Sequence, residues 1–137
     1  MATIVYAMLT SLDGYIAGPS GERDFAHAWR ETPKIVFSTT LQEVGPNARL
    51  VKGDVEAVAR SLKADTDGEI SVSGAELASH LARAGLIDEY RLYMHPVVLG
   101  GGKPYFRSGL SLALKPLGTE RLAQGVTLLR YAPIEID

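Results

Sequence analysis

The chain has 137 residues, 46% of them hydrophobic and 22% charged, with a mean hydropathy of +0.05; this is the balance of one compact domain with a continuous core, not of a disordered or fibrous chain. Lys and Arg total 14 against 16 Asp and Glu, a net charge of −2 with no like-charge run, which excludes an electrostatic footprint for nucleic acid or an anionic membrane. The absence of cysteine excludes disulfides, thiolate metal sites and cysteine nucleophiles, and fits a reducing cytoplasm.

Thr3 to Leu9 is an unbroken run of β-branched and apolar residues, the pattern of a central strand buried on both faces. It gives way at once to Thr10-Ser11-Leu12-Asp13-Gly14, with no basic stretch ahead of it, so it reads as a strand and not a signal peptide. No apolar run approaches the roughly 20 residues that cross a bilayer. Lys34 to Ser38 and Ile70 to Ser73 are further short strands. Between them Asp54 stands as N-cap to a helix striped by Val55, Val58, Ala59 and Leu62, which makes a local βαβ unit with parallel strands. A second helix runs from Ala75 to Ala84 and is closed by Gly85, with Leu77, Leu81 and Ala84 as its core stripe. Glu89 to His95 alternates before the buried-looking Pro96 to Leu99. Leu110 to Leu117 and Val126 to Tyr131 read as a closing antiparallel hairpin. No linker or repeat divides the chain, so residues 1–137 are expected to form a single domain.

Four features carry possible chemistry. The strand at Ile70 to Ser73 passes through Gly74 straight into Ala75-Glu76-Leu77; the free first-turn N–H groups of a helix placed there suit a phosphate, and a tight steric turn explains the same glycine equally. Leu99-Gly100-Gly101-Gly102-Lys103-Pro104 lacks the Ser or Thr and the helix that a nucleoside-triphosphate loop requires. Its glycines permit either close approach to a ligand or a plain turn, and Lys103 is a candidate contact for a substrate phosphate. Asp13 leaves the central strand at the sheet edge where open α/β sheets place ligands, although Asp-Gly is also an ordinary turn pair. His27, His80 and His95 have no metal-ligand spacing, so no metal is expected, and His80 with Glu76 at i−4 reads as a surface pair.

Met8-Leu9-Thr10-Ser11-Leu12-Asp13-Gly14-Tyr15-Ile16-Ala17, taken together with Gly85 to Leu92 and with His95-Pro96-Val97-Val98-Leu99-Gly100-Gly101-Gly102-Lys103-Pro104-Tyr105-Phe106, resembles the dihydrofolate-reductase-like family. The match is to the branch akin to the reductase domain of the bacterial riboflavin deaminase-reductase. The resemblance covers most of the chain. It implies a three-layer α/β/α fold whose mixed, mostly parallel sheet ends in the antiparallel hairpin, and an enzyme that binds NADPH and passes hydride to a pterin-like or ribosylaminopyrimidine substrate, as a 5-amino-6-(5-phosphoribosylamino)uracil reductase does. In that frame Asp13 orients or protonates the substrate, Ile16 packs on the nicotinamide, and Gly74, Ala75, Glu76 and Leu77 hold the pyrophosphate. Ser38 and Thr39 approach the adenosine ribose phosphate, and Lys103 lies on the substrate side. Thr39 stands where family members often carry arginine, which leaves preference between NADPH and NADH open.

One departure is larger. Between the Asp13 loop and the Lys34 strand the family has a substrate-side helix, a strand and another helix, whereas this chain offers only Ser20 to Pro33. The leading expectation is therefore an NADPH-dependent, cytoplasmic, homodimeric reductase acting on a small molecule. The alternative is a shortened, non-catalytic member that binds nucleotide weakly or serves as a dimeric binding module.

Overall fold

The computed structural model describes residues 2–16, 34–37, 48–51 and 54–134. Strand β1 (Thr3–Thr10) is followed by β2 (Lys34–Phe37), β3 (Ala48–Val51), helix α1 (Val55–Asp65), β4 (Glu69–Val72), α2 (Ala75–Arg83), β5 (Glu89–Met94), β6 (Leu114–Arg121), a short 3₁₀ turn (Ala123–Gly125) and β7 (Thr127–Pro133). Five strands form one mixed sheet in the order β4-β1-β5-β7-β6. β1 is parallel to β4 and to β5, and the β5-β7 and β7-β6 pairs are antiparallel. The expectations of a central first strand and a closing hairpin hold, the hairpin lying a few residues C-terminal of its predicted bounds. β2 and β3 pair with each other as a separate parallel sheet. The expected βαβ unit is corrected accordingly: α1 does lead into β4, but β4 takes β1 as its neighbour. Ala48-Arg49-Leu50-Val51 was missed because four residues with a central arginine carry no period to read.

α1 is capped at its start and α2 at its end as their sequences require. The Asp54 carboxylate accepts from the Ala57 amide at 3.0 Å. α2 ends at Gly85, with φ +72°, where the Gly85 and Leu86 amides bond back to Ala82 and Leu81; only glycine enters that left-handed conformation without strain. Alternation puts Ile4 and Tyr6, Val72, and Tyr90 and Leu92 on one sheet face. There they meet Ala59 of α1 and Ala78, Leu81 and Ala82 of α2 in a single core, so both described helices share one layer. The segment that the resemblance assigns to the opposite layer lies outside the described residues.

On that opposite face, Glu69, Arg91, Glu89 and Arg130 form a ladder running from β4 to β7. Arg91 holds Glu69 through two bonds of 2.9 and 3.1 Å and also donates to Glu89. Arg130 grips Glu89 at 3.0 Å through both oxygens. At the sheet's lower end, Asp88 accepts from Lys63 Nζ (2.6 Å) and from the Ile4 amide (2.9 Å), joining α1, β1 and the entry to β5. β6 is an edge strand with Pro116 and a bulge between Pro116 and Gly118, devices that discourage a further strand from adding there.

Candidate functional site

β1, β4 and β5 run parallel, so their carboxyl ends and the three segments that follow them converge at one end of the sheet. This is the edge, beside a change of chain direction, where open α/β sheets hold ligands. β1 pairs with β4 only as far as Tyr6↔Val72, whereas it continues beside β5 to Thr10↔Met94. The sheet therefore opens between β1 and β4 beyond Tyr6. The Thr3 amide bonds Gly68 on the β4 side, and strand alternation turns the peptide groups of Val5 and Ala7 the same way, Ala7 towards the opening.

One wall of the opening is the turn into α2. Gly74 has φ +99° and open space where a Cβ would lie. It caps α2 without a side-chain bond, which leaves the Ala75, Glu76 and Leu77 amides free of intrahelical partners. The expected pair of Glu76 with His80 is not formed; Glu76 instead takes the guanidinium of Arg107. A permanently charged fork outcompetes an imidazole for a carboxylate. Leu77 packs against the core, so its contribution to the turn is through its backbone.

The other wall is the segment after β1, zipped to the segment after β5. The Leu12 amide bonds Val97 O (2.7 Å), the Ile16 amide bonds Lys103 O (2.7 Å) and the Tyr105 amide bonds Gly14 O (2.9 Å). Ile16 thus lies back over Thr10 and against the core. Lys103 contributes its carbonyl while its side chain is exposed. Below, Tyr6 and Tyr105 stack with centroids 4.1 Å apart. Each hydroxyl donates to the other's backbone carbonyl, Tyr6 at 2.9 Å and Tyr105 at 2.7 Å. Burial drives both hydroxyls well above the usual tyrosine range and pushes Tyr90 up to about 12.

Asp13 is fully engaged. Its Oδ1 accepts from Ser11 Oγ (2.5 Å) and the Leu99 amide (3.1 Å), and its Oδ2 from the Gly100 amide (2.8 Å). The Ser11 hydroxyl foremost, with the Gly100 and Leu99 amides, lowers the carboxyl to about 2. The expectation is that Asp13 orients or protonates the substrate; an ionised carboxylate already held by three donors suits the orienting alternative. Thr10, at the end of β1, is buried with its hydroxyl unpartnered among the described residues. Ser38 and Thr39 lie outside the described residues.

A family model described as the RibD C-terminal domain matches residues 23–128. The chain belongs to the RibD C-terminal domain family. It is 32% identical over 115 residues to the uncharacterized protein YyaP of Bacillus subtilis (strain 168), a match covering 82% of this chain and 61% of YyaP. The chain therefore spans less than two thirds of that relative's length. Its fold is similar to that of a Shewanella sp. PV-4 protein provisionally assigned to riboflavin biosynthesis, with TM-score 0.72 and 24% identity over 98% of this chain and 100% of that one. It is also similar to dihydrofolate reductase from Enterococcus faecalis complexed with NADP(H), with TM-score 0.68 and 10% identity over 97% of each chain. The RibD-type chain thus has the dihydrofolate-reductase-like α/β fold that its sequence motifs imply.

Of the site residues read from sequence, the structure brings Asp13, Ile16, Gly74 to Leu77 and Lys103 to the same end of the sheet. Sequence reasoning missed Ser11, Tyr6, Tyr105 and Arg107. Ser11 was legible in principle, because a hydroxyl two residues before an aspartate in a turn is a recurrent local bonding pattern. The other three act through partners distant in sequence and leave no local signal. Among the described residues no group of three or more His, Asp or Glu stands ready for a metal, and no helix is long and apolar enough to cross a membrane.

Proposed function

We propose that this chain, as a single domain, is an NADPH-dependent reductase of the riboflavin-pathway type, acting on a ribosylaminopyrimidine or pterin-like ring as a cytoplasmic homodimer. The observation that carries this reading is the opening between β1 and β4, flanked by the uncapped turn into α2 on one side and the zipped Asp13 loop on the other. The open space at Gly74 and the free amides of Ala75, Glu76 and Leu77 fit a diphosphate, since both backbone dipoles and N–H groups face an anion there. NADPH, when bound, supplies the hydride. The chain's own residues bind and orient: Ile16 covers the end of β1 against the ring, Asp13 and Lys103 face the substrate, and the family resemblance assigns Ser38 and Thr39, outside the described residues, to the adenosine ribose phosphate.

The engagement of Asp13 favours a second reading, a family member that binds nucleotide without turnover, because the proton of a reduction then needs a source other than Asp13. Titration with NADPH and NADH, followed by fluorescence and calorimetry, tests the first reading. Saturable binding that is lost in Gly74→Asp, with an unchanged circular dichroism spectrum, supports it. No binding of either nucleotide at millimolar concentration overturns it. Binding without oxidation of NADPH by ribosylaminopyrimidine phosphate selects the second reading.

A further inference from the structure

The segment between the two zipped flanks, Val98 to Gly102, is held differently from its surroundings. On one side the chain is fixed at Val97, on the other at Lys103 and Tyr105, in each case by backbone bonds to the segment after β1. Between these points the side chains give no anchor: Val98 is 69% and Leu99 50% exposed. Three consecutive glycines follow, Gly100 with φ +73° and Gly102 with φ +122°, and glycine has the most conformational freedom to lose on ordering. Among the described residues, the hydrogen bonds of this stretch are those from the Leu99 and Gly100 amides to the two carboxylate oxygens of Asp13. Successive backbone amides converging on one anion form a concave cradle, and here the anion comes from the chain itself, 86 and 87 residues earlier in sequence.

We propose that Asp13 is a positioning residue: its carboxylate, braced by Ser11, sets the conformation of the glycine-rich segment 98–102 and so fixes the substrate-side wall of the site. Strand order assigns the side. The segment follows β5, and β5 lies across β1 from β4, whereas the turn that suits the cofactor's diphosphate follows β4. Ser11 is well placed to brace the arrangement, because its hydroxyl donates to Asp13 Oδ1 while accepting from the Tyr15 amide (3.0 Å). The carboxylate therefore has one rotamer in which all three donors are served. Asparagine cannot reproduce this, since its amide nitrogen would face a donor in place of one carboxylate oxygen. The link to substrate rests on the reductase reading; the link to the loop does not.

Amide hydrogen exchange by NMR on the unliganded full chain tests the loop. The expected result is protection of the Leu99 and Gly100 amides that falls about ten-fold in Asp13→Asn, while Leu12 and Ile16, bonded to backbone carbonyls, change less than about two-fold. Equal exchange of Leu99 and Gly100 in the two proteins overturns the proposal. A wild-type acid titration needs no variant: the same two amide resonances should hold their positions through the ordinary carboxylate range, and a shared midpoint at about pH 4 overturns the bonded arrangement. For the reaction, Asp13→Asn should lower kcat with ribosylaminopyrimidine phosphate about ten-fold, leave the KM for NADPH within about two-fold, and keep the shape of the pH profile. Loss of one limb of that profile would make Asp13 a proton carrier and overturn the positioning role. Absence of wild-type turnover defeats the reductase reading while the exchange and titration results still decide the loop.

Discussion

Replacing Tyr6 and Tyr105 by phenylalanine, singly and together, isolates the bonds that tie the segment after β5 to the central strand. Each substitution keeps the ring, and with it the stack at 4.1 Å and 18°, and removes one hydroxyl that donates to a carbonyl within the core. A buried hydrogen bond contributes about 1 kcal/mol net, so each single variant should lose about 1 kcal/mol and the double variant about 2 to 3 kcal/mol. For a domain of this size that is a fall in Tm of roughly 3 to 5 °C per kcal/mol. Tyr90→Phe is the internal control. Tyr90 is equally buried and contacts Tyr6 edge-on, but its hydroxyl bonds nothing among the described residues, so its removal should cost less than about 0.5 kcal/mol. Urea unfolding followed by circular dichroism, with calorimetric Tm as a second measure, reads all four variants. If Tyr6→Phe and Tyr105→Phe lose no more than Tyr90→Phe, the reciprocal bonds do not hold the loop and the reasoning fails.

Three other perturbations have definite signs. Glu76→Gln should tighten NADPH binding about two- to five-fold, because it removes a negative charge from the helix end proposed to receive the diphosphate; weaker binding by calorimetry would count against that placement. Glu89, whose pKa is lowered mainly by Arg130 and also by Arg91, should contribute stability that is complete above the ordinary carboxylate value and is lost as pH falls through its depressed folded value, since the unfolded chain takes up the proton first. Glu89→Gln should cost about 2 kcal/mol at pH 7 and flatten the acid limb of the Tm profile; an unchanged limb would show that the ladder does not act on stability. Ser79 of α2 is buried with its hydroxyl unpartnered among the described residues, so Ser79→Ala should be neutral or stabilising by up to about 1 kcal/mol, and a loss above about 0.5 kcal/mol in urea unfolding would contradict this.

What the sequence disclosed and what it did not divide by the range of the interaction. β1, both helices and the closing hairpin were legible because each announces itself within ten residues, through a run of β-branched residues, the Asp54 cap or the Gly85 stop. Pairing was not. Whether β4 lies beside β1 or beside β2 is decided by the whole sheet, and four-residue strands carry too little pattern to say. The site behaves in the same way. Position placed Asp13 and Gly74 at one end of the sheet, but the partners that engage Asp13 are amides 86 and 87 residues away. Glu76 had a plausible local partner in His80, and lost it to an arginine 31 residues further along.

A two-stranded parallel pair does not stand alone in water, because parallel strands need both faces covered and neighbours on either side. Among the described residues β2 and β3 form such a pair, and β4 closes the larger sheet with an edge that has no described partner. Both edges belong to parallel strands, and the family resemblance puts an additional strand in the stretch between the Asp13 loop and Lys34, of which residues 17–33 lie outside the described residues. The three converging segments proposed to hold substrate and diphosphate all leave the larger sheet, whereas Ser38 directly follows β2 of the smaller one. The diphosphate end of the proposed cofactor is therefore assigned to the larger sheet and its adenosine ribose phosphate to the smaller one. Equal measured affinities for NADPH and NADH, both sensitive to Gly74→Asp, would show that the diphosphate turn carries the binding and that the ribose phosphate adds none.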